Sequence, residues 1–137
     1  QSIRRQVISS GLSGQVTFLG ALADEALGEQ MRASHILVVP SSYEGFGIAY
    51  LEGMGWGLPA IATSGGAAGE IITHGRDGFL IEPGNVGALS NYLQELSADR
   101  QRLLALSLAA RQRFAVHPGW EQTGRLIRGF LANFQEA

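Results

Sequence analysis

Residues 34–63 read SHILVVPSSYEGFGIAYLEGMGWGLPAIAT, and in them a short apolar run, a glycine-rich turn and a helical pattern follow one another. The run at 35–40, HILVVP, is apolar, β-branched and ended by Pro40, which reads as a buried parallel strand rather than a helix. Residues 41–47 are small and polar apart from Tyr43 and Phe46, and Gly45 and Gly47 let the backbone turn left-handed and come close to a ligand. From about Gly47 the spacing predicts a helix with Ile48, Leu51 and Met54 or Gly55 facing a sheet. The free N–H groups of that helix would then point at whatever lies beyond the strand's carboxyl end, an arrangement that favours a phosphate.

Two glutamates, Glu44 and Glu52, lie in this stretch with seven residues between them. Helical side chains lean toward the helix N-terminus, so Glu52 tilts back toward the crevice that Glu44 borders. A carboxylate repels a phosphate but accepts hydrogen bonds from hydroxyls, vicinal ones above all. The pattern fits an anion held by backbone N–H groups and flanked by hydroxyl-rich sugars, the layout of a nucleoside diphosphate sugar. Ser41 and Ser42 serve equally as turn formers or ligand contacts, and Tyr43 and Phe46 either pack on a sugar or cover the loop.

The rest of the chain supplies a matching frame. Residues 2–10 carry Ile3, Val7 and Ile8 at helical spacing, and Gly11 stops that helix. Residues 16–19, between Gly14 and Gly20, are expected as a short strand. Asp24 is a fair cap for a helix to about Arg32, with Leu27 and Met31 on its inner face. Residues 60–62 begin a second buried strand ending in Thr63, Ser64, Gly65 and Gly66; Glu70, Ile71 and Ile72 form a short helical segment; and residues 78–81 are a further strand stopped by Pro83 and Gly84. Asn85 caps a helix to about Leu96, and Asp99 caps another to about Ala115 with Leu103, Leu106 and Ala110 inward. A last helix after Pro118 runs to Phe134 with the apolar stripe Leu126, Ile127, Phe130 and Leu131. Alternating strands and helices imply an α/β fold with a Rossmann-like parallel sheet and flanking helices, which places ligands at the strand carboxyl ends.

At 137 residues the chain suits one domain, residues 1–137. Its net charge of −2 gives no electrostatic reason to bind nucleic acid, and no apolar run approaches a membrane span. Zero cysteines fit a reducing compartment and exclude thiolate chemistry. The three histidines form no metal or triad pattern: His35 reads as structural, and His74 and His117 as solvated loop residues. Arg4 and Arg5 read as a solvated face and Trp120 as a core anchor.

From Gly11 to Trp120 the residues resemble the C-terminal domain of retaining GT-B glycosyltransferases of family four, the glycosyl transferases group 1. The resemblance rests on GLSGQVTFLG at 11–20, the paired-glutamate stretch at 34–63, GGAAGEII at 65–72, GRDGFLIEPGN at 75–85 and the aromatic pair Phe114 and Trp120. It implies that Glu44 contacts donor-sugar hydroxyls near the reacting carbon and supports an oxocarbenium-like state as the catalytic carboxylate. It implies that Glu52 binds ribose hydroxyls, that the N–H groups of Phe46, Gly47 and Ile48 hold sugar and diphosphate, and that Ser41, Gly45 and Leu51 complete the donor site. Glu70 would position its loop. No metal or other cofactor is implied, the nucleotide sugar being a substrate.

The departures from the family pattern carry expectations of their own. Two opening strands and a basic pair that clamps the diphosphate have no counterpart here, and neither does the N-terminal domain. The family sheet order, 3-2-1-4-5-6, would leave the strand at 16–19 without neighbours. The gap would be closed by a partner molecule, by strand exchange in a homo-oligomer, or by pairing of that strand with the one at 36–39. Gly53 stands where alanine is usual, and Trp56 where a small residue is common. The resemblance makes the chain an N-terminally truncated fragment of a cytoplasmic enzyme, peripheral to a membrane if its missing domain binds one. As an isolated chain it would bind donor weakly and catalyse nothing. The alternative on the same fold is a non-catalytic nucleotide-binding or interaction module; base, sugar and acceptor are not encoded in these residues.

Overall fold

The structure, a computed structural model, describes residues 2–134. It divides into two compact units, Gln1–Gln30 and Met31–Ala137. The first unit holds α1 (Ile3–Ser9), an irregular stretch, and most of α2 (Asp24–Ala33), which runs on into the second. Within it the Arg4 guanidinium lies 4.5 Å from the Phe18 ring centroid, a cation–π pairing rather than a purely solvated charge.

The strand expected at 16–19 does not form. The backbone there leaves a turn in which Leu12 O accepts from Gln15 N–H and Val16 N–H, at 2.9 and 3.1 Å, and continues as irregular chain. Val16, Phe18 and Leu19 are all exposed. β-Branched and aromatic residues become a strand only where a neighbour supplies ladder partners and a surface to pack on, and among the described residues the sheet has three strands, in the order β1-β2-β3. The expected pairing of 16–19 with 36–39 is therefore not made.

The second unit is the α/β body. β1 (Leu37–Val39), β2 (Ala60–Thr63) and β3 (Gly78–Ile81) are parallel, with Val38 opposite Ile61 and Ile61 opposite Phe79. β2 is buried throughout, whereas β1 is an edge strand, half-buried with Val38 exposed, and not the buried strand that HILVVP suggested. The alternation of β2 builds two cores. Ala60 and Ala62 face Tyr50 and Met54 of α3 (Ile48–Gly55) and Ala68 and Ile71 of α4 (Ala68–Ile71). Ile61, with Phe79 and Ile81 of β3, faces Leu96 of α5 (Val86–Ala98) and Leu103 and Leu106 of α6 (Arg100–Val116).

Local signals explain most of these elements. Asn85 and Asp99 cap α5 and α6 by accepting from Ala88 N–H and Arg102 N–H, each at 2.9 Å. Leu103, Leu106 and Ala110 are the buried residues of α6, as their spacing predicts. Ala110 joins the α3 core while Leu103 and Leu106 join the α5 core, so α6 serves both faces. Gly53 has a packing role: a Cβ there would stand 2.7 Å from Leu37 Cδ2, so its absence lets α3 approach β1 closely.

Several side chains face other ways than their spacing suggested. On α3, Ile48 is exposed and Tyr50 is fully buried in its stead, while Leu51 is half-buried. The helix is only eight residues long, and two turns admit more than one apolar stripe. Leu27 is exposed on α2. Trp120, expected as a core anchor, opens α7 (Trp120–Phe134) at 90% exposure, and the stripe Leu126, Ile127, Phe130 and Leu131 also lies exposed. His74 is exposed but partnered: its ring meets Phe79 and Tyr92 edge-on, and its Nδ1 accepts from Leu80 N–H at 3.1 Å.

Candidate functional site

All three strands end at one rim of the sheet, and the loops that leave them are tied together there. Ser41 follows β1, Ser64 follows β2 and Glu82 follows β3. Ser64 N–H donates to Ile81 O at 2.8 Å, and Ser64 Oγ donates to Glu82 Oε1 at 3.4 Å. Thr63, buried at the end of β2, donates its hydroxyl to Ser41 O. Glu82 escaped the sequence reading, although it is the first polar residue after β3.

The two glycine-rich loops pair as a short parallel bridge, Glu44 against Gly66. Glu44 N–H donates to Gly65 O at 3.2 Å, and Ala67 N–H donates to Glu44 O at 2.8 Å. The approach is so close that a Cβ on Gly65 would collide with Ser42 O, and one on Gly66 with the Glu44 backbone. Gly66 also holds φ +81°, a left-handed backbone that suits glycine alone. The second loop thus fixes the backbone of Glu44.

The Glu44 side chain turns onto its own loop. Oε1 accepts from Phe46 N–H at 3.4 Å and from Gly47 N–H at 3.2 Å. Gly47, at φ +72°, is the N-cap residue of α3 and has no side chain, and the carboxylate sits at the helix's positive end on the two N–H groups that precede it. Of the three N–H groups expected to face a ligand, those of Phe46 and Gly47 are therefore engaged by Glu44. The N–H of Ile48 has no acceptor among the described residues. Glu52 is exposed on α3, about 7–8 Å along the axis from Gly47 at the usual helical rise. Gly45 is exposed at the turn, and Tyr43 and Phe46 stand out at 72% and 82% exposure, so neither covers the loop. Leu51 packs against the α3 core, on the inner side of the helix.

Beneath this turn lies Tyr50, at 0% exposure. Its Cδ2 would be 2.9 Å from a Cβ on Gly47, so the ring is the floor on which the turn rests. Burial pushes the Tyr50 phenol up from its ordinary value; the adjacent Ser41 side chain opposes the rise and the Glu44 charge adds to it. Ser41 Oγ and Tyr50 Oη are nevertheless both buried without a hydrogen bond of regular geometry. A buried hydroxyl left unpaired costs on the order of 1–3 kcal/mol. The one sign of Tyr50's part in the sequence is a tyrosine at a helical position between the apolar Ala49 and Leu51.

On the other side of the second loop, Arg113 of α6 donates from Nε to Ile71 O at 3.0 Å and from Nη2 to Glu70 O at 2.6 Å. These bonds satisfy carbonyls at the end of α4 and fix the helix behind the Gly65–Gly66 bridge. Glu70 enters this contact through its backbone carbonyl and is otherwise exposed.

Comparison with known proteins places this geometry among relatives. Residues 1–113 match the family described as Glycosyl transferases group 1. D-inositol 3-phosphate glycosyltransferase of Rhodococcus opacus (strain B4) is 35% identical over 129 residues, covering 94% of this chain and 28% of that protein. Sucrose-phosphate synthase from Thermosynechococcus elongatus superposes with a TM-score of 0.84 at 32% identity, over 96% of this chain and 34% of its own. Anabaena Alr3699/HepE, crystallised in complex with UDP, superposes with a TM-score of 0.87 at 28% identity, over 96% of this chain and 36% of its own; it has also been crystallised with UDP-glucose. The chain spans about a third of the length of the proteins it matches.

Proposed function

The chain belongs to the glycosyl transferases group 1 family, and on that premise we propose that it is the donor-binding part of a retaining glycosyltransferase, which moves a sugar from a nucleoside diphosphate sugar to an acceptor. One observation carries the reading: a carboxylate, Glu44, is fixed by a second loop at the N-terminus of α3, at the carboxyl ends of parallel strands, with Glu52 exposed on the same helix. The open N–H of Ile48 and the positive end of α3 suit the diphosphate. Glu52 then accepts from ribose hydroxyls and Glu44 from hydroxyls of the donor sugar, with Ser41 and Gly45 lining the turn.

An anion that engages the N–H groups of Phe46 and Gly47 displaces the Glu44 carboxylate from them, since two anions do not share those donors. Freed, the carboxylate faces the sugar, where it stabilises positive charge developing at the anomeric carbon. No metal has a part in this reading, because backbone N–H groups and the helix end take the place of a cation at the phosphates. HepE, crystallised with UDP and with UDP-glucose, makes a uridine nucleotide the first candidate donor. In this reading the contacts to the acceptor, the remaining wall of the site and the basic clamp for the diphosphate are supplied by other parts of the parent protein.

A calorimetric and thermal-shift screen of UDP- and GDP-sugars against the chain tests the assignment. At least one nucleotide sugar should raise the melting temperature, and Glu52→Ala should weaken its binding by about tenfold, the loss of one or two charge-assisted hydrogen bonds. Absence of binding by every nucleotide sugar, or an Ala variant that binds as well as the parent chain, sinks the donor-site reading.

A further inference from the structure

Glu44 is the carboxylate on which the donor reading rests, and the inference that follows rests on that reading. In this structure the carboxylate accepts from Phe46 N–H and Gly47 N–H, just before α3. Below the same turn, Ser41 Oγ and Tyr50 Oη are buried beside each other, neither in a hydrogen bond of regular geometry. Tyr50 supports Gly47 from beneath, Ser41 begins the loop three residues before Glu44, and Thr63 pins the Ser41 carbonyl. Two buried hydroxyls with no other partner than each other among the described residues thus lie under the turn that holds the Glu44 carboxylate, near enough for its charge to act on the Tyr50 phenol. The donors that carboxylate now uses are the ones a phosphate or sugar would claim.

We propose that Tyr50 and Ser41 are positioning residues that receive the Glu44 carboxylate once a donor displaces it from the turn. The exchange leaves no group unpaired. The ligand takes the N–H groups of Phe46 and Gly47, one carboxylate oxygen accepts from Tyr50 Oη–H and Ser41 Oγ–H, and the other faces the donor sugar. Tyr50 suits the part because burial and the Glu44 charge keep its phenol protonated and so a donor. Its ring is already packed in the α3 core, so its hydroxyl loses little freedom in accepting the role. Each carboxylate position would thus be defined by its own pair of donors, with the bound sugar selecting between them.

The test compares UDP with UDP-glucose, because Glu44 serves the sugar more than the nucleotide. NMR titrations of the 137-residue chain with each ligand give the ratio of the two affinities for the parent chain, Tyr50→Phe, Ser41→Ala and Ser41→Thr. The ratio should fall by about fivefold in Tyr50→Phe and in Ser41→Ala, and should return toward the parent value in Ser41→Thr, which keeps a hydroxyl. A ratio unchanged in both hydroxyl-deleting variants, or an equal weakening of both ligands, overturns the positioning role and leaves the donor site standing. If the parent chain binds a nucleotide sugar other than UDP-glucose, the same ratio is taken with that sugar and its nucleotide; if it binds none, the donor reading falls and this inference falls with it. Circular dichroism melts of each variant separate a lost hydroxyl from a lost fold: Tyr50→Phe keeps the ring that supports Gly47, and a ratio that falls only in variants with a lowered melting temperature also overturns the proposal.

Discussion

Gly66 meets two demands that together only glycine satisfies. Its φ of +81° disfavours any side chain, and a Cβ would run into the backbone of Glu44, 3.0 Å from its carbon and 3.1 Å from its nitrogen. Backbone atoms cannot step aside as a side chain can, so Gly66→Ala should part the two loops and cost about 2–3 kcal/mol. Urea unfolding reads the loss directly, and a change below about 0.5 kcal/mol would show that the bridge to Glu44 yields easily. Ala67, one residue on, is half-buried without such a constraint and its N–H completes the bridge. At this scale the sequence showed that glycines were needed in residues 65–66 but not why, since the colliding partner comes from a loop some twenty residues earlier. Tyr50 was missed for a related reason: its value depends on Gly47 above it and on Ser41 beside it, and neither relation is visible along one helix.

The caps Asn85 and Asp99 were legible because they are written within four residues, whereas Asp24, expected as a cap, is instead the first residue of α2. Asp99 ends α5 and starts α6, and its carboxylate accepts from Arg102 N–H at 2.9 Å. Asp99→Ala should therefore cost about 1 kcal/mol, while Asp99→Ser should recover most of it. Thermal melts of the two variants decide the point, and equal stability of Asp99→Ala and the parent chain would mean that packing of Leu103 and Leu106 alone fixes the helix start. The strands divide along the same line. β2 and β3 were readable from runs bounded by Pro59 and Pro83, and both are paired on the sheet. Residues 16–19 have comparable composition and yet form no strand, because strand formation depends on a neighbour that composition does not report. The paired glutamates were legible as residues, whereas the fold of the Glu44 carboxylate onto its own loop was not, because it depends on the left-handed turn at Gly47.

The two cores of the α/β body are joined through α6, which packs against both α3 and α5. Ala110 sits in one core and Leu103 and Leu106 in the other, while Phe114 rests against Gly55 at 3.2–3.3 Å from where a Cβ would be. The described residues of α7 lie exposed apart from the half-buried Thr123 and Gly124. A chain ended after Pro118 should consequently keep a cooperative melt within a few degrees of the parent, and one ended after Leu108 should lose it, because Ala110 and Phe114 go with the cut. Calorimetry on the two truncations makes the comparison; a cooperative melt of the shorter chain would show that the cores stand without the second half of α6. The same arrangement bears on how the polypeptide is made. The last strand leaves the ribosome when Ile81 does, but its covering helix is not complete until Val116. For that interval the apolar face of β2 and β3 is synthesised and uncovered, which makes it the surface a chaperone would meet first.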